Sequence, residues 1–341
     1  MPRHPSNRPR RTTMQDVADL AGVSLATVSF VINAKTSAKV SEATRARVWS
    51  AAQELGYRTN RAAKNLVQGA STFIGLVADA IASTPFAGQI IRGAQDAAWQ
   101  NRHILLVANT EANTEAERDA ITMMLEHQVT GIIYSTWYHR EVTPPAALRE
   151  VPCVLVNCYA ADDSLPAVVP DEVQGGRTAT QVLLDRGHRR IAFVNSTESA
   201  PATTGRLRGY RAALAAAGVA EDPDLVLTVR PEQEGGYEAG LLLLSLPTPP
   251  TAVFCYNDRV AMGMYDALHE RGMRIPGDIA IVGFDNQEVI AGHLRPPLST
   301  IALPHYELGA RGVRMLLGGD GSAPAPGRTI LDCPYIPRHS L

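Results

Sequence analysis

The segment DVADLAGVSLATVSFVIN, residues 16–33, contains two short apolar patterns separated by one glycine, Gly22. Thr13 and Asp16 have the spacing of a capping box, which predicts a helix that begins beside them and ends at Gly22. The apolar residues of this helix lie at the spacing of a single face: Met14, Val17, Ala18 and Ala21. The segment therefore predicts a short amphipathic helix, a tight turn and the start of a second helix.

Ser24 is a candidate N-cap for that second helix, which we expect to reach about Asn33. Its inner stripe consists of Val28, Val31 and Ile32. The opposite face carries an aromatic ring, Phe30, among small and polar residues. A third helix is predicted from about Ser41 to Leu55, and it can close a core with Ala43, Val48, Ala51, Ala52 and Leu55. Two helices joined by a glycine-bearing turn, the second with a small-residue face, predict a helix-turn-helix.

The charge of the chain is divided between its two ends. Residues 1–69 hold 11 Lys and Arg against 4 Asp and Glu, a net charge of +7, whereas the remainder holds 21 against 30, a net charge of −9. A basic head on an acidic body indicates a polyanionic partner. Because four of these cations lie in residues 1–11, a basic tail that only aids solubility is an alternative. We expect residues 1–12 to form a disordered basic tail and residues 13–58 to form the helical domain.

From residue 72 onward, short apolar runs alternate with helical patterns, and we interpret seven of these runs as strands: FIGLVAD, ILLVAN, GIIYS, CVLVN, IAFVNS, AVFCYND and IAIVGFD. This alternation predicts parallel sheets with helices on both faces. About 270 residues with more than eight such strands exceed one ordinary sheet, so the fold class that we expect is an α-helical helix-turn-helix head plus a two-lobed α/β core.

Several classes of protein are disfavoured by what the sequence lacks. No apolar run approaches the ~20 residues that span a bilayer, and no apolar block follows the basic start, so we expect a cytoplasmic location. The four cysteines are scattered without a CxxC pair, which favours buried thiols over a metal site or disulfides. We find no GxSxG, GxGxxG or GxxxxGK[ST] motif, and we therefore predict no catalytic residues, no cofactor and no metal.

The stretch TMQDVADLAGVSLATVSFVIN, followed by VSEATRARVWSAAQELGYRTNRAAKNL, resembles the DNA-binding head of the LacI/GalR family of transcriptional regulators. The resemblance implies that Leu25, Ala26 and Phe30 read bases and that Thr27 and Ser29 lie nearer the phosphates. The predicted DNA-binding surface also includes the two ends of the helix, Ser24 and Asn33. The ring of Phe30 cannot donate a bidentate pair to guanine, but it can contact a thymine methyl group. The alternative is that Phe30 packs on a neighbouring loop.

Residues 59–70 form the predicted hinge between head and core. A helix of two turns is marginal alone, because nucleation is costly, and would need a partner or DNA to form. The resemblance implies that two such helices pair in the minor groove, that Leu66 is inserted between base pairs, and that Arg61 and Lys64 lie by the phosphates. An ordinary linker is the alternative. A ligand that rotates the cores would then change DNA affinity without touching DNA.

The remainder, residues 71–341, resembles the effector-binding and dimerisation core of the same family, through phrases such as GGRTATQVLLDRGHRRIAFV and PTAVFCYNDRVAMGMYDAL. The resemblance implies a core similar to periplasmic sugar-binding proteins. It places one lobe at about 72–170 and 303–331, and the other at about 171–302 and 332–341.

Ligands of open α/β sheets bind beyond the carboxyl ends of the strands. The candidate effector-binding residues there are Asp79, Phe86, Asn157, Asp171, Arg206, Asn257 and Asp285. Acids, amides and an arginine suit hydroxyl groups, which both donate and accept hydrogen bonds, and Phe86 could stack on a ring. The resemblance implies that Arg206, Asn257 and Asp285 are ligand contacts. Two alternatives stay open: Asp171 caps a helix, and Arg206 with Asp285 forms a lobe-bridging salt link.

Together these patterns predict a DNA-binding regulator, a repressor, that binds a pseudo-palindromic operator as a homodimer and responds to a small polar effector. The effector is expected to be a sugar or polyol, because Ala200, Ala202 and Pro231 stand where purine-binding relatives carry polar or aromatic groups. The chain ends without a heptad tail, so we expect no tetramer of the kind that such a tail forms. The alternative function is a solute-binding or transport-related protein that uses the same core without regulatory DNA binding.

Overall fold

The computed structural model describes residues 12–33, 40–57, 71–81, 88–319 and 325–341. The chain divides into two compact units, which we call the head, residues 1–71, and the core, residues 72–341. The predicted hinge lies outside the described residues, and so does almost all of the predicted tail. Thr12 is the exception, because its hydroxyl donates to the carbonyl of Leu55 at 3.0 Å.

The head consists of helices α1 (Met14–Ala21), α2 (Leu25–Ile32) and α3 (Glu42–Glu54). The capping box predicted at the start of α1 is present, because Thr13 and Asp16 each accept from the other's backbone N–H. Gly22 ends α1 with φ at 62°, a left-handed conformation that glycine adopts at no steric cost. The Ser24 hydroxyl accepts from the N–H of Thr27 and so caps α2.

Buried side chains from all three helices meet in one cluster in the head. Its members are Val17, Ala18, Ala21, Val28, Val31, Val48, Ala51 and Ala52, with Ile32 and Leu55 packed against it. The prediction that Ala43 belongs to this core is wrong, because its side chain is exposed in the first turn of α3.

Lobe one of the core is built on a six-stranded sheet with the order β11-β5-β4-β3-β1-β2. The strands are β1 (Phe73–Ala78), β2 (Ile104–Asn109), β3 (Gly131–Val142), β4 (Cys153–Ala160), β5 (Pro166–Pro170) and β11 (Gly327–Leu331). All of its paired strands are parallel. Its helices are α4 (Gly88–Gln100), α5 (Thr114–Glu126) and α10 (His305–Leu316), and a 3₁₀ turn spans Ala146–Glu150.

Lobe two is built on a second six-stranded sheet, with the order β12-β10-β9-β8-β6-β7. The strands are β6 (Ile191–Ser196), β7 (Val226–Val229), β8 (Ala252–Cys255), β9 (Ala280–Asp285), β10 (Ser299–Ala302) and β12 (Tyr335–Ile336). Only β12, paired with β10, is antiparallel among these strands. Its helices are α6 (Glu172–Leu184), α7 (Pro201–Ala216), α8 (Gln233–Ser245) and α9 (Asp258–Glu270), and a 3₁₀ turn spans Pro223–Leu225.

The chain passes between the two lobes three times, before α6, before α10 and after β11. Helix α6 packs closely on α7, because a Cβ atom on Gly176 would lie only 2.4 Å from the carbonyl oxygen of Arg206. These crossings and this close packing place the start of α6, the second turn of α7 and the ends of β3, β4, β8 and β9 next to one another.

The seven apolar runs that predict strands all form strands in the structure. One helix begins earlier than its sequence pattern predicts: the helical pattern of residues 207–216 would place Arg206 at a helix start, yet α7 begins at Pro201. Proline is favoured in the first turn, where its missing N–H is not needed, and this signal was overlooked. Arg206 therefore lies in the second turn of α7, and Ala202 is a helical residue.

The four cysteines are buried free thiols, as predicted. Among the described helices, none is by itself long and apolar enough to cross a bilayer; α1 and α2 meet that test of length and composition only as a pair, bent by 106°.

Candidate functional site

The outer face of α2 in the head carries the predicted base-reading side chains. Leu25 is 46% exposed and Phe30 is 37% exposed, and Ala26 between them is exposed as well. Thr27 and Ser29 are half-buried at the edges of this face. Asn33 ends the helix and its amide donates to the carbonyl of Ser29 at 2.9 Å.

Four of the predicted site residues lie outside the described residues. They are Arg61, Lys64 and Leu66 of the hinge, and Phe86 of the core. The loop that follows α2, on which Phe30 could pack, lies outside them too.

The two lobes of the core enclose a cleft at the carboxyl ends of their strands. Its inner part is a cavity of about 50 Å³ that both lobes line. Lobe one contributes Trp137, Tyr138, His139 and Asn157; lobe two contributes Glu172, Glu198, Ala200, Ala202, Arg206, Pro231, Tyr256, Asn257, Arg259 and Asp285; Leu303 and His305 complete the wall. A larger cavity of about 510 Å³ shares Asp285, Leu303 and His305 with it. The cleft is thus narrow at the polar side chains and wider beside them.

Arg206 lies at the centre of the inner cavity and is almost fully buried. Its Nε donates to Glu172 Oε2 at 2.8 Å, and its Nη1 donates to the carbonyl of Tyr256. Its Nη2 lies 3.6 Å from Asp285 Oδ1, and its guanidinium carbon lies 3.6 Å from the centre of the Phe284 ring. Burial opposes the charge of Arg206, but Glu172, Tyr256 and Asp285 together outweigh burial and raise its pKa. The guanidinium is therefore held in one orientation.

Glu172 is the first residue of α6, and its side chain is as buried as that of Arg206. Burial alone would raise its pKa, but Arg206, and after it His139, lower it from 4.5 to about 2. The second carboxylate oxygen of Glu172 lies 3.4 Å from His139 Nδ1 of lobe one. Glu172 therefore connects the charged cluster of lobe two to the facing wall.

The two cleft asparagines differ in how their amides are used. Asn257 caps α9: its Oδ1 accepts from the N–H of Val260 at 2.8 Å and its Nδ2 donates to the carbonyl of Pro231 at 3.0 Å. Asn157, at φ 60°, donates to the carbonyl of Thr136 at 3.0 Å. Its buried Oδ1 accepts no hydrogen bond from any residue that the structure describes. Asn157 thus offers an acceptor to a ligand.

Asp285 ends β9 with φ at 99° and lines both cavities. Its Oδ2 accepts from the side chain of Gln287 at 3.0 Å. Burial raises its pKa above 3.8, and Arg206 opposes that effect. The inner cavity therefore holds a second buried carboxyl group close to the guanidinium.

Comparison with known proteins bears on both units of the chain. Residues 13–60 match the family described as bacterial regulatory proteins, lacI family, and residues 180–341 match the periplasmic binding protein-like domain. The HTH-type transcriptional regulator GalR of Escherichia coli is 34% identical over 335 residues, which cover 96% of this chain and 95% of GalR. The chain belongs to the LacI family.

Solved structures of the LacI family share the fold of this member. A lac repressor dimer bound to operator and the anti-inducer ONPF has a TM-score of 0.79 and 27% identity, and the match covers 97% of this chain and 99% of that one. The complex of the regulator CelR with cellobiose has a TM-score of 0.64 and 30% identity, over 97% and 100% of the two chains. The predicted fold class, a helix-turn-helix head on a two-sheet α/β core, is confirmed.

This LacI-family chain is a DNA-binding transcriptional regulator, and its relatives are regulators rather than enzymes. The alternative of a transport-related protein without regulatory DNA binding is therefore set aside. Arg206, Asn257, Asn157 and Asp285 line the inner cavity of the family's core, as a ligand set would.

Two candidate residues of this LacI-family core are engaged elsewhere. Asp79 accepts from the N–H of Trp137 at 2.9 Å and pairs with Arg140 at 2.9 Å, so it supports one cleft wall from behind. Asp171 caps α6 by accepting from the N–H of Gln174 at 2.8 Å, which was the stated alternative. Neither residue lines the inner cavity.

The alternative in which Arg206 and Asp285 form a lobe-bridging salt link is wrong, because α7 and β9 both belong to lobe two. The contacts that do cross the cleft include His139 Nδ1 with Glu172 Oε1 at 3.4 Å, and the side-chain amide of Gln89, which donates to Glu288 at 3.0 Å. Sequence reasoning identified neither His139 nor Glu172 as a residue of the cleft. The capping pattern at the start of α6 pointed to Asp171, the neighbour of Glu172. The apolar run GIIYS predicts a strand that ends before His139, whereas β3 continues to Val142 through an irregular register.

Proposed function

We propose that this regulator is a repressor that binds a pseudo-palindromic operator as a homodimer and is controlled by a sugar-like effector in the cleft between its core lobes. The observation that carries the proposal is the buried set of Arg206, Glu172 and Asp285 at the carboxyl ends of the lobe-two strands, facing unpaired polar atoms of lobe one. A purely structural core has no need of so many charged and polar groups around one cavity.

The exposed face of α2 supports the DNA-binding part of the proposal. Small and apolar side chains at the helix start let the backbone approach the floor of a major groove, and Phe30 can contact a thymine methyl group. We propose that Ser24, Thr27, Ser29 and Asn33 complete the contact surface. Phe30→Ala should leave the head folded, because the ring is exposed, and should relax the preference at one base pair. A head that unfolds instead would favour a packing role for the ring.

The hinge residues are proposed to act in the minor groove, with Leu66 as a wedge between base pairs and Arg61 and Lys64 by the phosphates. Leu66→Ala should weaken binding to the operator while effector binding is retained. Leu55→Ala is the control, because Leu55 packs against the head core. It shows what a loss of head stability alone does to operator affinity. Operator affinity that does not change in Leu66→Ala would contradict the wedge.

An apolar edge of lobe one supports the homodimer. Trp99 is 62% exposed at the end of α4 and Met123 is 58% exposed in α5, while Ile104 and Val107 are exposed on the edge strand β2. Exposed apolar side chains on neighbouring elements indicate an interface, and a two-fold dimer matches a palindromic site. Met123→Lys should convert the dimer to a monomer in analytical ultracentrifugation, and a wild type that sediments as a monomer would contradict the proposal.

The effector is proposed to be a sugar or related polyol. Asn157 Oδ1 and Glu172 Oε1 are buried acceptors that receive no hydrogen bond from the described residues, and hydroxyl groups can supply the missing donors. Trp137, Tyr138 and Tyr256 provide aromatic surface beside them. The CelR relative is solved with cellobiose, which supports this class of ligand.

The proposal is tested with the full chain in two steps. Selection from a random duplex pool should return a two-fold symmetric sequence whose affinity falls steeply with salt, because phosphate contacts release counterions. Thermal denaturation against a panel of sugars and polyols should then identify a compound that raises Tm, since a ligand bound to the folded state stabilises it. The same compound should change operator affinity by roughly 5-fold to 150-fold. A selected site without symmetry, or a stabilising sugar that leaves DNA affinity unchanged, would refute the proposal.

A further inference from the structure

The inner cavity is already charge-balanced before a ligand enters. Three carboxylates line it, from Glu172, Glu198 and Asp285, against two guanidinium groups, from Arg206 and Arg259. Carboxyl groups thus outnumber guanidinium groups by three to two in the described wall. Electrostatic complementarity therefore disfavours an anion in this cavity.

The guanidinium of Arg206 is not available for bidentate binding through its Nε edge. That nitrogen donates to Glu172 at 2.8 Å, and a second nitrogen donates to the carbonyl of Tyr256. Arginine binds carboxylates and phosphates most strongly with two parallel N–H donors, and the best such edge is already taken by a carboxylate of the protein. The protein's own Glu172 thus stands where an anionic ligand group would bind.

Two buried acceptor atoms in the described wall of the inner cavity are unused. Asn157 Oδ1 and Glu172 Oε1 are buried, and neither accepts a hydrogen bond from a residue in the described part of the chain. Buried acceptors without donors are costly, so a ligand that supplies O–H or N–H groups gains affinity from both. A carboxylate or phosphate group supplies no donor and would add a further acceptor.

We infer that Glu172 is a specificity-determining residue of the cleft, which excludes sugar acids and sugar phosphates by occupying Arg206 and selects an uncharged or amine-bearing polyol. This inference rests on the proposed function, in which the cleft binds a sugar-like effector. It assigns to Glu172 a role in choosing the effector that is separate from its role in pairing with a buried arginine.

The first test uses the wild-type chain and matched probes that differ only in charge. Glucose, galactose and mannose are each compared with the corresponding uronate, 6-phosphate and 2-amino sugar in thermal denaturation titrations at constant ionic strength. In the series that binds, the neutral or amino sugar should reach half-maximal stabilisation at a concentration lower than the anions by about tenfold or more.

The outcomes separate the two proposals. A uronate or sugar phosphate that stabilises the protein as well as its neutral counterpart overturns the inference but leaves the sugar-binding function intact. If no sugar of any charge raises Tm, the proposed effector class fails, and the inference that rests on it fails too.

The second test removes the charge of Glu172. Glu172→Gln should improve uronate binding relative to the wild type by about tenfold, because Arg206 becomes free to pair with the ligand. Glu172→Asp keeps the negative charge and should still reject uronates. Because this variant also perturbs the site, it separates the effect of charge from the effect of a small loss in stability. Glu221→Gln is the matched control, since Glu221 pairs with Arg211 at 2.8 Å on the exposed surface, and it should keep the wild-type order of affinities. If Glu172→Gln ranks the neutral, amino and acidic sugars in the same order of affinity as the wild type, the inference is overturned.

Discussion

An arginine–carboxylate pair near the cleft can be compared between the two lobes, because the pair in lobe one and the pair in lobe two differ in their exposure. In lobe one Arg140 lies 2.9 Å from Asp79, and the arginine side chain is 31% exposed. In lobe two Arg206 lies 2.8 Å from Glu172, and both side chains are only 4% exposed. Removing two charges from water costs several kcal/mol per ion, so a buried pair is a poor means of adding stability. The difference supports the proposal that the lobe-two pair serves ligand binding and that the lobe-one pair shapes the wall.

The facing walls differ in a second respect. In lobe two the polar groups of Arg206 and Asn257 are held by partners of the same lobe. In lobe one, Asn157 Oδ1 and both ring nitrogens of His139 have no hydrogen-bond partner among the described residues. Apart from Glu172 Oε1, the polar groups named here in lobe two are preorganised, whereas lobe one presents groups that a ligand would satisfy when it draws the lobes together.

The largest difference is expected when each arginine is removed. Arg206→Ala leaves two buried carboxylates near each other without a guanidinium and should lower the free energy of unfolding of the core by about 3–5 kcal/mol. Arg140→Ala should cost about 1 kcal/mol or less, because its pair is partly exposed. Urea denaturation of both variants measures the contrast. Equal losses would mean that exposure does not separate the two pairs.

A smaller effect is expected from Glu172→Gln, and it should depend on pH. The folded-state pKa of Glu172 is lowered from 4.5 to about 2, so the stability that its ionised form provides is complete above pH 4.5 and is lost as the pH falls toward 2. The wild type should exceed the variant by about 2 kcal/mol at pH 7. Urea denaturation between pH 7 and pH 3 should show this margin shrinking below pH 4.5. A margin that widens on acidification would contradict the assignment.

Substitutions of the two cleft asparagines should differ in their effects on stability and on effector affinity. Asn257→Ala removes the cap of α9 and should cost about 1 kcal/mol of stability. Asn157→Gly loses the hydrogen bond to Thr136, but glycine suits the left-handed backbone, so the net loss of stability should be about 1 kcal/mol or less. The variant also removes an acceptor and should weaken effector binding by about tenfold. Thermal denaturation with and without the stabilising sugar measures both. Unaltered sugar affinity in Asn157→Gly would remove this residue from the site.

The smallest effect concerns the contact between His139 and Glu172 across the cleft. His139→Gln should cost only about 0.5 kcal/mol, because the ring loses an edge contact with Tyr159 but no hydrogen bond among the described residues. A double-mutant cycle with Glu172→Gln measures the coupling between the lobes. A coupling energy above about 2 kcal/mol would show that this contact holds the two lobes together strongly in the absence of a ligand.

The sequence predicted the local features of the molecule better than the long-range ones. Helix caps such as Thr13 and Ser24, the glycine turn and the apolar runs follow from short-range patterns, and they were found. Edge strands such as β7 and β12 are short or half-exposed, so their patterns are weak. The partners of Arg206 come from α6, β8 and β9, segments whose meeting depends on tertiary packing.

The site residues illustrate the same limit. Strand ends correctly pointed to Asn157, Asn257 and Asp285 as members of the cleft wall, because carboxyl ends of parallel strands share one edge. The pattern could not tell which of two adjacent acids, Asp171 or Glu172, turns inward, because both stand at the start of α6. Their different roles follow from the packing of α6 on α7, which no local signal encodes.

The most direct test of the account measures operator affinity by fluorescence anisotropy, with and without the stabilising sugar, for the wild type and for Arg206→Lys. Lysine keeps a positive charge beside Glu172 but loses the planar fork of donors. The account predicts that both proteins bind the operator equally well without sugar, that the sugar changes the affinity of the wild type by at least about 5-fold, and that it leaves the variant unchanged. A variant that responds to the sugar as fully as the wild type would contradict the account.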